Sequence, residues 1–378
     1  MAHRTFRDLV SEYDLLAPLE RASTIPANWY RDRRVAQAEA SCVFGASWQC
    51  VARADQIAEP GQFVSTEISG EPILVVRGAD CHLRGFFNVC RHHAAAVATA
   101  PCGSASVFKC PYHGWTYGLD GTLRGAPDFS AVQDFDPASY GLAPVLAEQW
   151  QQFVFVNLDL GAPTLDSYVG DFAFRAASLG LTELRFVERR EYELKCNWKV
   201  FVDNYLDGGY HVPYVHKALN SVLDYRQYTV ETAGRACLQS SPVDSASAVD
   251  ESLGRTRRGA AYYFWFYPNF MLNWYEGVLD TNLVLPAGID RTRVIFDFYF
   301  GPEFDEEAAR NSIAVSEHIQ DEDVAICEAV QRGLGSRAYS TGRLSVRREA
   351  GEHLFHRLLA NDLRRAAELL PAQALSPE

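Results

Sequence analysis

The sequence predicts an α+β chain: an all-β domain at about residues 41–160, then a mixed domain at 161–378, with a helical segment over 1–40. Three observations carry this. Between Ser41 and residue 160, short apolar runs alternate with Gly, Pro and Asp breaks, as closely spaced strands do. Beyond Gly161-Ala-Pro163, aromatic strand patterns are mixed with helical ones. Glu306–Gln331 and Gly351–Leu370 then read as long C-terminal helices. At 378 residues, 48% hydrophobic and 22% charged, the chain can fill two cores.

Taken in order, Leu9, Tyr13 and Leu16 recur at near-helical spacing, and Pro26 precedes a second helical stretch at Trp29–Ala40. Phe63–Ile68, Ile73–Val76 and Leu83–Val89 read as strands, and Trp150–Leu158 as the last strand of the β domain. Arg185–Leu194 alternates like a strand. Trp198–His216 reads as a helix bent at Pro213, which cannot donate an i→i−4 bond. Tyr262–Tyr267 and Val294–Tyr299 are strands by their aromatic and β-branched content. The polar stretch Ser240–Gly259 reads as a mobile loop.

Composition excludes several classes. The net charge is -13 with no long basic run, which argues against nucleic acid. No apolar run approaches the ~20 residues of a membrane span. The first 30 residues hold Asp8, Glu12, Asp14 and Glu20 and lack a signal-type apolar core, which argues against a targeting peptide. Of nine cysteines, Cys90 and Cys110 stand in a motif with His92 and His113, and the rest are scattered, odd in number and without a repeated spacing, which fits a reducing compartment; a cytoplasmic location is expected. No GxGxxG or Walker sequence appears, so neither a dinucleotide nor ATP is indicated.

The chemistry centres on Cys90-Arg91-His92, 17 residues, then Cys110-Pro111-Tyr112-His113. Each half offers one thiolate and one imidazole. Two sulfide-linked irons suit the set, one taking the cysteines and the other the histidines, which raises the reduction potential above that of an all-cysteine cluster. A structural zinc accepts the same four ligands, although zinc sites more often show CxxC or HxxxH halves. Further on, His211 and His216 lie five apart, about 140° around an ideal helix, so a kink is needed to bring them to one metal. Two histidines and a carboxylate with open positions suit non-haem Fe(II) that must also bind dioxygen. Gln320-Asp-Glu-Asp323 offers three acids on a helix, where a solvated face is the competing reading. Asp207 shares a helical face with His211 at i−4.

The run Cys110-Pro-Tyr-His-Gly-Trp-Thr-Tyr-Gly-Leu-Asp-Gly121 resembles a Rieske protein, and the chain as a whole resembles the α subunits of Rieske non-haem iron oxygenases. Asp203–His216, Tyr267–Asn273, Asp280–Pro286 and Cys327–Leu334 are similar to the choline monooxygenase branch, in order over roughly residues 25–360. The resemblance implies a Rieske [2Fe–2S] domain with ligands Cys90, His92, Cys110 and His113. It further implies a catalytic domain with an antiparallel sheet flanked by helices, of helix-grip type, on which residues 1–40 pack. Mononuclear Fe(II) would be held by His211, His216 and Asp323, with Asp321 and Glu322 competing for the third place. Asp207 would bridge His211 to His113 of the next chain in a ring-shaped homotrimer, with Asp203 as the alternative. His93 stands where the family commonly has Arg and is not expected to ligate.

The expected activity is that of a terminal oxygenase which takes electrons from a separate ferredoxin or flavin reductase and uses O₂ on a small quaternary amine. Choline would give betaine aldehyde through a geminal diol. N-demethylation or hydroxylation of a betaine or carnitine, ring hydroxylation of an aromatic acid, and a bare Rieske electron carrier are the alternatives. In the aromatic run Tyr262–Tyr267, Tyr263, Trp265 and Tyr267 share one face of a strand and are candidates for a cation-binding wall; core packing is the competing reading.

Overall fold

The computed structural model describes residues 4–369 except 221–222, 243–248, 251–254 and 257–258. The chain divides into two compact units, Phe44–Tyr168 and the pair Met1–Val43 with Val169–Glu378.

In the first unit, strands β1 (Gln49–Arg53), β2 (Gln62–Ile68), β3 (Glu71–Arg77), β4 (Leu83–Phe87), β5 (Cys102–Ser104), β9 (Pro144–Trp150) and β10 (Phe153–Asn157) form one sheet in the order β1-β10-β9-β4-β3-β2-β5. Strands β6 (Phe108–Lys109), β7 (Thr116–Tyr117) and β8 (Leu123–Gly125) make a small second sheet. The expected single strand Trp150–Leu158 is instead the end of β9, a turn at Gln151-Gln152, and β10, paired with Phe153 opposite Trp150. Gln151 takes a left-handed φ of 52° there without the usual Gly or Asn signal. The cysteine loops leave the ends of β4 and β6 and pack on Trp115 and Tyr117, both buried.

The second unit begins with short helices α1 (Phe6–Val10) and α2 (Arg33–Glu39). They are tied in by Trp29 Nε1–H donating 3.1 Å to Leu9 O, and by a fully buried pair, Lys199 Nζ to Glu39 Oε1 at 2.7 Å. Helix α3 (Leu165–Ala177) breaks at Gly170. The large sheet joins β11 (Arg185–Leu194), β12 (Thr229–Ala233), β13 (Ala236–Pro242), β16 (Ala260–Phe266), β17 (Phe270–Tyr275), β18 (Val278–Pro286) and β19 (Thr292–Phe300). Its order is β11-β19-β18-β17-β16-β13-β12, antiparallel throughout. β14 (Val249–Asp250) and β15 (Arg255–Thr256) pair as a small separate ribbon. Ser240–Pro242 thus close β13, while most of the polar stretch to Gly259, expected as a mobile loop, lies outside the described residues.

Helices α4 (Trp198–Leu206), α5 (Val212–Val215), α6 (Lys217–Asn220), α7 (Glu306–Leu334) and α8 (Ala350–Leu369) complete this unit. α8 is amphipathic: Phe355, Leu359 and Leu363 recur at i, i+4 and i+8 and are all buried. The Phe355 ring meets Trp198 of α4 and Trp265 of β16. The expected continuous helix Trp198–His216 is corrected here. α4 ends at Leu206, and the break falls at Gly208-Gly209 rather than at Pro213. Pro213 is the second residue of the next helix, in its first turn, where its missing N–H costs nothing.

Candidate active site

The two cysteine loops are built alike. Cys90 N–H donates to Ala95 O at 2.8 Å and Ala94 N–H returns to Cys90 O at 2.9 Å. Cys110 N–H donates to Trp115 O at 2.8 Å and Gly114 N–H returns to Cys110 O at 3.0 Å. The fourth residue after each cysteine is left-handed, Ala94 at φ 62° and Gly114 at φ 75°. Both sulfurs belong to buried residues, and the His92 and His113 rings stand 4.7 Å apart. His92 is stacked flat on Trp115 at 4.9 Å, and its Nδ1 is buried without a hydrogen-bond partner. Burial, with His93 and His113 nearby, holds His92 below its ordinary pKa, in the neutral form that ligates. Tyr117 Oη accepts from Arg91 N–H at 2.9 Å, which leaves its own proton for Cys90 Sγ, 3.3 Å away. Two buried sulfurs, an orphaned imidazole nitrogen and a donor to sulfur fit a cluster with thiolate and imidazole ligands. His93 is exposed.

The second constellation depends on the chain break after α4. Gly208 and Gly209 have φ of 69° and 67°, and a Cβ on Gly208 would collide with the Arg348 carbonyl oxygen. This turn swings His211 back beside His216, with ring centroids 4.9 Å apart. Asp207 fixes the turn by accepting from Tyr210 N–H at 3.0 Å and His211 N–H at 2.9 Å. Asp323 reaches in from α7: its Oδ1 lies 3.0 Å from His216 Nε2 and 3.8 Å from His211 Nε2. One ligand atom from each of the three lies within 4.8 Å of the others. Asn204 Nδ2–H holds the same Asp323 oxygen at 2.8 Å.

The other imidazole nitrogens are equally committed. His211 Nδ1 is 2.7 Å from Asp207 Oδ2, and His216 Nδ1 is 2.7 Å from Glu322 Oε2. Protons held at both Nδ1 atoms leave the two Nε2 atoms, both beside Asp323, as the ones a metal could take, the carboxylate–histidine arrangement of metal sites. Burial opposes a charged His216, but Asp323 and Glu322 outweigh it and its pKa is raised. Of the three adjacent acids, Asp323 faces the histidines, Glu322 backs His216 and Asp321 is exposed. Asp203 is turned elsewhere, toward Tyr30 Oη and His356 Nε2.

The trio lines a cavity of ≈ 130 Å³ walled by Tyr205, Tyr228, Tyr263 and Tyr275 together with Asn273, Asp280 and Asn282. Of the three aromatic residues singled out by strand alternation, Tyr263 lines it. Trp265 and Tyr267 share its face of β16, but α8 covers them: Trp265 packs on Phe355, and Tyr267 Oη donates to Asp362 at 2.8 Å. Sequence reasoning missed Asn204, Tyr205, Tyr228, Asn273, Tyr275, Asp280 and Asn282 as wall residues. One signal was available for the last pair: Asp280 and Asn282 recur at a spacing of two inside an otherwise apolar strand.

Residues 47–136 match the model of the Rieske [2Fe-2S] domain, and residues 181–364 that of the ring hydroxylating alpha subunit (catalytic domain). The chloroplastic choline monooxygenase of Arabidopsis thaliana is 40% identical, over 94% of this chain and 86% of that protein. The carnitine monooxygenase oxygenase subunit of Escherichia coli (strain K12) is 32% identical, over 93% of this chain and 97% of its own. Among solved structures, that of a quaternary ammonium Rieske monooxygenase, described with carnitine oxidation by gut microbiota and inter-subunit electron transfer, superposes with a TM-score of 0.80. It is 28% identical, over 94% of this chain and 98% of that one.

Proposed function

Because the chain belongs to the Rieske oxygenase α subunits, carrying a [2Fe–2S] domain and a mononuclear-iron catalytic domain, we propose that it is the terminal oxygenase of a multicomponent system that hydroxylates choline to betaine aldehyde hydrate. The observation that carries the substrate is the cavity. The His211–His216–Asp323 trio and four tyrosines line one space. A trimethylammonium group cannot donate a strong hydrogen bond, so shape and aromatic faces must hold it. Each cation–π contact contributes about 0.5–2 kcal/mol.

In this reading Cys90 and Cys110 hold one iron of the cluster and His92 and His113 the other, while His211, His216 and Asp323 hold the mononuclear iron. When bound, that iron supplies dioxygen activation with electrons delivered through the cluster. Asp207 and Glu322 keep both Nδ1 protons in place, and Asn204 orients the Asp323 carboxylate. The cavity walls position the alcohol carbon and exclude water. The balance is one C–H bond, O₂, two electrons and two protons in, and a geminal diol and water out. The electrons come from a separate ferredoxin or flavin reductase.

N-demethylation of a betaine or carnitine, or ring hydroxylation of an aromatic acid, would bring a carboxylate into the cavity. There it would meet Asp280, and no Lys or Arg stands among the described lining residues. Choline, with a single positive charge, suits this lining better. Asp207 is the relay to His113 of a second copy in a ring-shaped trimer, since Asp203 is occupied with Tyr30 and His356. The seven cysteines outside the proposed cluster, none of them in a disulfide, fit a reducing compartment, and we place the enzyme in the cytoplasm.

The test is coupled O₂ uptake by purified holoenzyme with a surrogate reductase, on choline, carnitine, glycine betaine and an aromatic carboxylate. Betaine aldehyde formed in step with O₂ from choline supports the reading. Coupled product from the aromatic carboxylate alone refutes it.

A further inference from the structure

Asp280 lies on β18, on the cavity-facing side of the large sheet. The strand register sets Gln239, Tyr263, Asn273 and Asp280 side by side across β13, β16, β17 and β18, and all four line the cavity. Asp280 is 7% exposed. Its carboxylate is aimed by Asn273, whose Nδ2 donates 2.7 Å to Asp280 Oδ2 and 3.0 Å to Asn282 Oδ1. Asn273 Oδ1 in turn accepts from Tyr205 Oη–H at 2.8 Å. With two acceptors on one side of the amide and a hydroxyl donor on the other, Asn273 has one orientation, and Asp280 is held in one place. Beside it, Tyr263 and Tyr275 meet edge to face with their hydroxyls 2.9 Å apart, and Tyr228 lies nearly parallel to Tyr263 at 6.3 Å.

We propose that Asp280 is the counter-ion of the substrate's quaternary ammonium group and the residue that selects a singly charged cation over a zwitterion. The proposal rests on the quaternary ammonium reading above and deepens it. Tyrosine faces alone attract a choline head and a betaine head alike. A fixed, largely buried carboxylate adds attraction for the first and repels the carboxylate that the second brings with it. The same residue therefore sets both affinity and discrimination without touching the iron.

The test pairs binding with turnover in the holoenzyme. Tetramethylammonium affinity is measured calorimetrically for the wild type, Asp280→Asn and Asp280→Glu. Turnover of choline, glycine betaine and 3,3-dimethylbutanol (choline's uncharged isostere) is measured alongside. Asn keeps one oxygen acceptor for Asn273 and removes the charge. The expected result is a loss of tetramethylammonium affinity on the order of 10- to 100-fold in Asp280→Asn, with partial recovery in Asp280→Glu. In Asp280→Asn, kcat/KM for choline falls through KM, the neutral isostere changes less than about twofold, and the preference for choline over glycine betaine narrows, at unchanged iron and cluster content. Equal losses for choline and its isostere, or unchanged tetramethylammonium affinity, overturn the proposal, as does a wild type that binds no tetramethylammonium. Choline turnover by the wild type separately decides the functional reading: a wild type that binds the cation through Asp280 yet oxidises another substrate loses the choline assignment and keeps the counter-ion.

Discussion

Replacing Glu322 by Ala should weaken the mononuclear iron without touching the cluster. Glu322 Oε2 lies 2.7 Å from His216 Nδ1, and His216 is almost fully buried. The carboxylate fixes the ring's tautomer and its rotation, so its loss frees the imidazole to carry the proton on the nitrogen that should ligate. Removing such a partner typically costs 10- to 100-fold in metal affinity. The Glu322 side chain is 30% exposed, and water can partly replace it. The effect should therefore sit near the lower end, about 10-fold, or ~1.4 kcal/mol. The assay is dialysis of reconstituted enzyme against a graded chelator series, with total iron measured against cluster absorption as the internal reference. Unchanged retention of the mononuclear iron would show that Glu322 does not support His216. Loss of all of that iron without added chelator would mean that Glu322 is itself a ligand, and the arrangement argued here would be wrong.

Cys110→Ala should abolish the visible absorption of the cluster, and an unchanged spectrum would refute that ligand set. Asp207→Asn should keep both metal centres but slow electron arrival at the mononuclear iron in single-turnover measurements; equal rates would remove Asp207 from the relay. Lys199→Met leaves Glu39 buried with Trp198 Nε1–H at 2.9 Å, and should cost about 3–5 kcal/mol in urea unfolding. Adding Glu39→Gln to that variant should recover much of the loss. Burial, with Asp203, Glu349 and Asp207 nearby, raises the Glu352 pKa well above 4.5. The folded state keeps this proton after the unfolded chain has lost it, so its contribution is whole below about pH 4.5 and is lost as pH rises toward the folded value. Glu352→Gln should therefore match the wild type's urea midpoint in acid and exceed it at alkaline pH; a midpoint difference independent of pH would contradict this.

Arg185–Leu194, the edge strand, was legible because it alternates exposed and covered residues over most of its length. Val294–Tyr299, an interior strand buried throughout, was legible by its aromatic and β-branched content. Two boundaries were not. The β9–β10 turn uses Gln151-Gln152, which carry no turn signature, so two strands read as one. Pro213 was expected to bend a helix, but a proline at a first helical turn is favourable, and the glycine pair four and five residues earlier makes the break. The late acids posed a different difficulty. Asp321, Glu322 and Asp323 point about 100° apart around α7, and which of them reach His216 depends on how α7 is rotated against the segment that carries the histidines. Local spacing holds no record of that rotation. The aromatic run had a similar limit. Alternation assigns Tyr263, Trp265 and Tyr267 to one face, yet it says nothing of how far along the strand α8 lies over that face.

The cavity takes its proposed iron ligands from helical segments and the turn between them, and most of its polar wall from the centre of the sheet. Backbone pairing on both sides of β16, β17 and β18 holds each wall position whatever side chain it carries. Exchanges at 263, 273, 275, 280 or 282 can thus remodel the chamber while the turn at Gly208-Gly209 and the approach of α7 stay as they are. Substrate choice and oxygen chemistry are then heritable separately. A gene duplicate could drift from one amine to another in a few steps, each intermediate still loading its iron.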